Sequence, residues 1–127
     1  MNKKYLVDTN IIIDFFRGSK EAEQFITENC DNIIISVITI AELYAGVRGK
    51  KEEEQLKGFL SLFDLLPFNN DLAIKSGYLK NQYYKSHNSG LADCMIAATA
   101  LAHDMILVTN NFKHFPMVEE KIRLDQQ

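Results

Sequence analysis

The sequence has few of the residues that mark secreted or strongly nucleic-acid-binding proteins. It has only two cysteines, Cys30 and Cys94, without a Cys-x-x-Cys or Cys/His spacing, so neither a disulfide framework nor a zinc site is expected. We expect both to be reduced thiols in or near the core. There is no basic excess either, because 14 lysines and arginines face 17 acidic residues. If the protein binds a nucleic acid, its phosphates must therefore be bound by local basic residues and by bound cations.

Long apolar runs, prolines and linkers are also scarce. The longest apolar runs, at 33–35 and 105–108, fall far short of the roughly 18–20 residues that span a bilayer. Asp8 interrupts the apolar stretch behind the N-terminal lysines, so we expect no secretory signal, no membrane association and a cytoplasmic location. A chain of 127 residues with 46% hydrophobic residues fits a single domain, residues 1–127, with one sizeable core.

Short apolar runs alternate with longer amphipathic stretches along the chain. Strands are predicted at 4–7, 32–35, 65–68 and 105–108, with a further edge strand near Val118. Helices are predicted at 9–17, 20–29, 37–47, 50–63, 71–86 and 91–103, with a short helix beyond Asn110. Pro67 indicates an irregular or edge position for the strand at 65–68. This alternation predicts a three-layer α/β/α fold, with a central parallel sheet of four to five strands covered on both faces.

Three acidic residues and one asparagine fall near strand ends or in the first turns of helices. Asp8 ends the first strand, and Glu42 lies in the helix after the second. Asp93 is in the first turn of a later helix, and Asn111 follows the last clear strand. In such folds, reactive groups gather at the carboxyl ends of the strands. We therefore expect these side chains to converge at one edge of the sheet.

Three converging carboxylates would repel one another and would be costly to bury in ionised form. A divalent cation relieves this repulsion, and Mg²⁺ and Mn²⁺ prefer oxygen ligands. A metal held in this way can generate hydroxide and stabilise an in-line displacement at phosphorus. The pattern thus favours metal-assisted phosphodiester hydrolysis. In this hypothesis Asp8 and Asp93 anchor the cation, and Glu42 ligates it or orients the attacking water.

Each of these residues also has an ordinary structural interpretation. Asp8 could simply cap the next helix, and an aspartate at position 93 suits a helix dipole. Thr39 and Glu42 match a capping box. Ser36 is the better cap because it directly follows the strand, which leaves Glu42 almost two turns inside an apolar helix, where it needs a partner. The shared sheet edge, rather than any single residue, favours a site.

Four segments of the chain resemble, in order, the motifs of PIN-domain ribonucleases, and in particular the VapC-type toxins. They are YLVDTN (5–10), SVITIAELYAG (36–46), LADCMIAATA (91–100) and LVTNNFKHF (107–115). The resemblance runs from about residue 4 to residue 115. It implies a PIN-like, Rossmann-like fold and cleavage of structured or single-stranded RNA, such as tRNA or rRNA loops, with Mg²⁺ or Mn²⁺ as cofactor. It also implies inhibition of translation, a cognate VapB-like antitoxin whose C-terminal segment enters the active site, and a homodimer.

The resemblance assigns roles to particular residues. The catalytic and metal-binding residues are Asp8, Glu42 and Asp93. The supporting residues, which orient those carboxylates, are Thr9, Asn10, Thr109 and Asn111. The family often has aspartate where Asn111 stands, and the missing charge argues against a tightly held second metal. His114 falls where many members carry an acid, and we assign it no catalytic role.

Basic residues near the acidic ones are the candidates for RNA contact. Lys75, Lys80 and Lys85 lie in an acid-free stretch with interleaved tyrosines, which could hold phosphates and stack bases. The alternative is that the tyrosines pack on the core and the lysines are solvated, which we prefer because lysines five apart do not share a helix face. Arg17 and Arg48, which follow helices that begin near the acids, are further candidates.

Three other functions stay open. The chain could be a free-standing PIN nuclease in RNA processing. It could be a catalytically weak PIN-type module that binds RNA or protein, with Asn111 marking a decayed site. It could also be an α/β phosphotransferase with Asp8 as nucleophile, although aspartyl phosphatases require a second aspartate where Asn10 stands.

Overall fold

A parallel sheet of five short strands forms the centre of the fold, in a computed structural model that describes residues 3–83 and 89–125. The strands are β1 (Tyr5–Val7), β2 (Ile33–Ser36), β3 (Asp64–Leu66), β4 (Ile106–Val108) and β5 (Lys121–Ile122). Their order across the sheet is β3-β2-β1-β4-β5, and every neighbouring pair is parallel. The order reverses between β1 and β4, which is where parallel sheets of this kind bind ligands.

Six helices in the described part of the chain connect these strands. They are α1 (Thr9–Phe16), α2 (Lys20–Glu28), α3 (Val37–Ala45), α4 (Gly49–Leu60), α5 (Asn70–Tyr83) and α6 (Leu91–Ala102), with 3₁₀ turns at Cys30–Asn32 and Phe112–His114. The helices cover both faces of the sheet, so the predicted three-layer α/β/α fold is confirmed. No helix among the described residues is both long enough and apolar enough to span a membrane.

Two apolar clusters flank the sheet. Val7 packs with Ile12 of α1 and Phe59 of α4 on one face, and Leu6 packs with Ile96 of α6 and Phe115 on the other. Successive side chains of a strand point to opposite faces, so β1 contributes to both cores. The backbone that leads into Asp8 is therefore held from both sides.

The last strand lies further along the chain than the sequence predicted. The pattern placed an edge strand near Val118, whereas the strand is formed by Lys121–Ile122. Val118 is instead a core residue, 2% exposed, and its N–H donates to the carbonyl of Phe115. Val118 is thus hydrophobic because it packs in one of the two cores, and not because it belongs to a strand.

Other element boundaries differ from the predictions by a few residues. The helix predicted at 37–47 ends at Ala45, and the one predicted at 50–63 runs from Gly49 to Leu60. The strand predicted at 65–68 is β3 at Asp64–Leu66, at the sheet edge, with Pro67 just beyond it. The end of the helix predicted at 71–86 lies outside the described residues. Both cysteines are free thiols, with Cys94 buried and Cys30 partly buried.

Ser36 both ends β2 and caps α3. Its hydroxyl oxygen accepts a hydrogen bond from the N–H of Ile38 at 3.0 Å, and Thr39 lies inside the helix, fully buried.

We expect Ser36→Ala to lower the free energy of unfolding by about 1 kcal/mol, the usual cost of losing an N-cap. Urea denaturation measures this loss. Thr27→Ala, at an exposed position of α2, is the control and should change stability by less than about 0.5 kcal/mol; equal effects of the two substitutions would contradict the capping role.

Candidate active site

Asp8 and Thr109 follow the two central strands at the carboxyl edge of the sheet. The N–H of Asp8 donates to the carbonyl of Val108 at 2.9 Å, and the N–H of Thr109 donates to the carbonyl of Ile122 at 3.0 Å. Both residues thus extend the pairing of the strands they follow. Their side chains meet, because the Thr109 hydroxyl donates to Oδ2 of Asp8 at 2.8 Å.

The carboxylate of Asp8 is buried and held by two donors. It is only 5% exposed. Its Oδ1 accepts from the N–H of Thr9 at 2.8 Å, so Asp8 is also the N-cap of α1. Burial raises the pKa of Asp8 from 3.8 to about 6, although the hydrogen bonds from Thr109 and Thr9 act in the opposite direction.

The charges of two other acidic residues reach Asp8. The carboxylates of Asp93 and Glu42 both raise the pKa of Asp8 by repelling its ionised form. The three carboxylates thus interact electrostatically at this edge of the sheet. This interaction is consistent with a shared region for the three side chains, and their role as one metal site stays a prediction.

Glu42 reaches the site from the second turn of α3. It is exposed, and its Oε1 accepts a hydrogen bond from the Thr9 hydroxyl at 2.5 Å. Thr9 therefore contacts two of the three carboxylates, Asp8 through its N–H and Glu42 through its hydroxyl. The partner expected for Glu42 is therefore Thr9, whose hydroxyl oxygen also lies 3.3 Å from the hydroxyl oxygen of the buried Thr39.

Asp93 lies in the first turn of α6 and combines a structural role with its place in the site. Its Oδ2 accepts from the N–H of Gly90 at 3.1 Å, which satisfies the amide at the start of the helix. The same oxygen lies 3.5 Å from Nδ1 of His114. Sequence analysis gave His114 no role, and the structure places its imidazole against a candidate metal ligand. His114 belongs to the fourth of the motif segments (107–115), but the sequence does not show that its side chain lies next to Asp93.

The segment before α6 is anchored by neighbouring elements. The ammonium group of Lys80 on α5 donates to the carbonyl of Ser89 at 2.7 Å. The Ser89 hydroxyl donates to the carbonyl of His114, also at 2.7 Å. Together with the bond between Gly90 and Asp93, these contacts fix the start of α6 at the site.

The two asparagines after β4, Asn110 and Asn111, make different hydrogen bonds. Asn111 contacts the site through its backbone, whose N–H donates to the Thr109 hydroxyl at 3.0 Å. Asn110, which sequence analysis did not single out, accepts from the N–H of Leu124 at 2.8 Å and donates to Asp14 at 3.5 Å. Asn10 is exposed on α1, and its supporting role stays a prediction.

The donor set fits a divalent cation with few protein ligands. Carboxylate oxygens are the ligands that Mg²⁺ and Mn²⁺ prefer. Burial, and to a lesser extent the charges of Asp93 and Glu42, raises the pKa of Asp8, and a bound cation would favour its ionised form. Within residues 3–83 and 89–125, no three acidic, histidine or cysteine side chains already stand close enough to enclose an ion. Mg²⁺ commonly binds one or two carboxylates and completes its shell with water and substrate phosphate, which this arrangement allows.

The basic residues expected to contact RNA occupy different parts of the molecule. Lys75 is exposed on α5, and Lys80 is engaged with Ser89. Lys85 lies outside the described residues. Arg17 and Arg48 line one groove with Glu42. The structure thus brings the two arginines, rather than the described lysines, into one cavity with a candidate catalytic residue.

Comparison with known proteins agrees with this fold. Residues 5–120 match the model of the PIN domain. The chain belongs to the PIN-domain family. Ribonuclease VapC10 of Mycobacterium tuberculosis is 36% identical over 118 residues, covering 91% of this chain and 88% of the relative. Ribonuclease VapC19 of the same organism is 38% identical over 117 residues, covering 88% and 92%.

A solved toxin-antitoxin complex from Klebsiella pneumoniae contains a similar chain. The TM-score is 0.80 at 32% identity, with 94% of this chain and 96% of that chain covered. The PIN-like fold and the resemblance to VapC-type proteins that the four motifs indicated are both confirmed.

Proposed function

We propose that this protein is a VapC-type toxin, a metal-dependent endoribonuclease that hydrolyses phosphodiester bonds of RNA. The observation that carries the proposal is the buried Asp8 carboxylate, which has a raised pKa and lies within electrostatic reach of Glu42 and Asp93. Such a site is unfavourable in isolation and becomes favourable with a cation. The relatives named Ribonuclease VapC support the same conclusion.

The protein holds both carboxylate oxygens of Asp8 and one oxygen each of Glu42 and Asp93. Thr109 and Thr9 fix the orientation of Asp8, and Gly90 holds one oxygen of Asp93. Mg²⁺ or Mn²⁺, when bound, supplies Lewis-acid polarisation of the phosphate and a water of lowered pKa. Glu42, held by the Thr9 hydroxyl through one oxygen, has its other oxygen available to orient the attacking water.

The partners follow from the same proposal. The substrate is structured or single-stranded RNA, such as tRNA or rRNA loops, whose cleavage in the cytoplasm inhibits translation. A VapB-like antitoxin neutralises the protein, as suggested by the toxin-antitoxin complex that contains a structurally similar chain. A homodimer is supported by the apolar side chains of Ile74 and Tyr78, which are one turn apart on α5 and 51% and 71% exposed. Sequencing of new RNA 5′ ends after induced expression would identify the target.

Metal removal tests the proposal. We expect the purified protein to cut single-stranded RNA with Mg²⁺ or Mn²⁺ and to stop in EDTA, with activity restored by added metal. We also expect Mn²⁺ to raise the melting temperature, since a ligand that binds only the folded state stabilises it by about 2.7 kcal/mol at 100 times its Kd. Cleavage that persists in EDTA would overturn the metal mechanism. Metal-dependent stabilisation without cleavage would favour a binding module.

A further inference from the structure

A groove opens beside Glu42, between α1, α3 and α4. Its volume is about 470 Å³. Ile13, Leu43 and Leu56 form an apolar part of its lining. Because Glu42 lines the groove and also bonds to Thr9, the groove leads directly from the candidate active site.

Two arginines line this groove. Arg17 follows α1, Arg48 precedes α4, and both are exposed. Among the ion pairs of the described residues, neither guanidinium group takes part. Two carboxylates also line the groove, and both accept from neutral donors: Glu52 from the backbone N–H of Arg48 at 2.8 Å and Glu42 from the Thr9 hydroxyl. Because no carboxylate of the described residues pairs with either guanidinium group, both groups can bind an anionic occupant directly.

An aromatic ring lies beside these charges. Phe16 lines the groove and is 44% exposed. Its ring packs edge-on against Phe15 and Phe59, with centroid distances of 5.4 and 5.1 Å. These contacts fix the ring while leaving part of it open. Exposed aromatic rings next to basic residues are the usual platform for the bases of single-stranded nucleic acids.

We propose that this groove binds the nucleotides of single-stranded RNA that flank the phosphate to be cut. Arg17 and Arg48 bind backbone phosphates, and Phe16 stacks a base. This inference rests on the proposed ribonuclease function and adds the path that the substrate takes to the carboxylates. A nucleotide is favoured over a peptide because it combines an anionic group with a planar ring, and the groove presents an aromatic surface together with two guanidinium groups that form no ion pair among the described residues.

Paired charge-removing variants test the groove. The first is Arg17→Gln/Arg48→Gln. The control is Lys50→Gln/Lys57→Gln, which removes the same charge from two exposed residues that are about two turns apart on α4 and outside the groove lining. Binding of a fluorescein-labelled single-stranded RNA is measured by anisotropy in EDTA, where no cleavage is expected, at several salt concentrations. Circular dichroism verifies that all proteins are folded.

We expect the arginine variant to bind RNA at least about 10-fold more weakly than wild type. The slope of log K against log salt should become shallower by about 1.4, because each phosphate contact on a single strand contributes about 0.7. The lysine control should match wild type in both quantities. In the presence of metal, the arginine variant should show a raised KM with kcat unchanged, as expected for lost substrate binding.

The other outcomes are distinguishable. If wild type cleaves RNA and the arginine variant binds it equally well, the groove proposal is overturned while the ribonuclease function stands, and the groove is left to a protein partner. Equal losses in both variants would also overturn it, because they would indicate general electrostatic attraction. If wild type neither binds nor cleaves RNA, the proposed function fails and the groove proposal fails with it.

Discussion

Asp8→Asn is expected to produce a more stable and inactive protein. The substitution keeps the size of the side chain and an oxygen that can accept from the N–H of Thr9, and it removes the buried charge. Cleavage should fall more than about 100-fold, because even residues that only orient metal ligands are commonly worth 10–100-fold. The stabilisation by Mn²⁺ should disappear as well.

The gain in stability depends on pH in a defined direction. The pKa of Asp8 is about 6 in the folded protein and 3.8 as its reference value, so the folded state holds this proton more tightly than the unfolded state does. The free energy of unfolding of wild type should therefore fall as pH rises from about 4 to about 6. The difference between the two pKa values corresponds to about 3 kcal/mol, the upper limit for the gain in the variant at pH 8.

Urea denaturation in EDTA at pH 4, 6 and 8 measures this effect. The two proteins should be closest at pH 4, where Asp8 is protonated in the folded state and only partly ionised in the unfolded state, and should differ most at pH 8. Asp64→Asn removes an exposed carboxylate at the sheet edge and should change stability by less than about 0.5 kcal/mol at each pH. A difference between wild type and Asp8→Asn that is the same at all three pH values would refute the buried-charge interpretation.

Asp93→Asn is expected to abolish cleavage while leaving the fold intact. Asparagine retains an oxygen that can accept from the N–H of Gly90, so the start of α6 stays capped. What is lost is the negative charge that repels Asp8 and would attract the cation. We expect a loss of more than about 100-fold in kcat/KM, with a change in stability below about 1 kcal/mol from the helix dipole.

The matched control for this variant is Asp71→Asn. Asp71 also lies in the first turn of a helix, α5, and is exposed, so the same substitution there carries the same helix-dipole effect. It should cleave RNA as wild type does. Equal activity of Asp93→Asn and wild type would exclude Asp93 from the site, and inactivity of both variants would point to a general loss of charge or stability.

Features that depend on neighbours in sequence could be predicted. Asp8 and Ser36 directly follow buried strands, and a polar residue between an apolar strand and a helix is a local signal for a cap at the sheet edge. The two residues are indeed the N-caps of α1 and α3. The alternation of strands and helices in turn predicted the parallel sheet and hence a common edge for the acids.

Features that depend on distant contacts could not be predicted. The bond between Thr9 and Glu42 joins residues 33 positions apart, and the contact between Asp93 and His114 joins the first turn of α6 to a 3₁₀ turn beyond β4. Lys80 looked like an RNA-binding residue by its charge, and only the fold reveals that it binds a backbone carbonyl. Periodicity describes one element at a time and carries no information about which side chains meet between elements.

The anchoring of residues 89 and 90 bears on how much substitution the start of α6 tolerates. Lys80, the carbonyl of His114 and the carboxylate of Asp93 each bind one of these two residues. The three bonds come from α5, from the 3₁₀ turn at Phe112–His114 and from α6 itself, so the loss of one of them leaves the other two in place. The position of Asp93 is therefore buffered against a single substitution at Lys80 or Ser89.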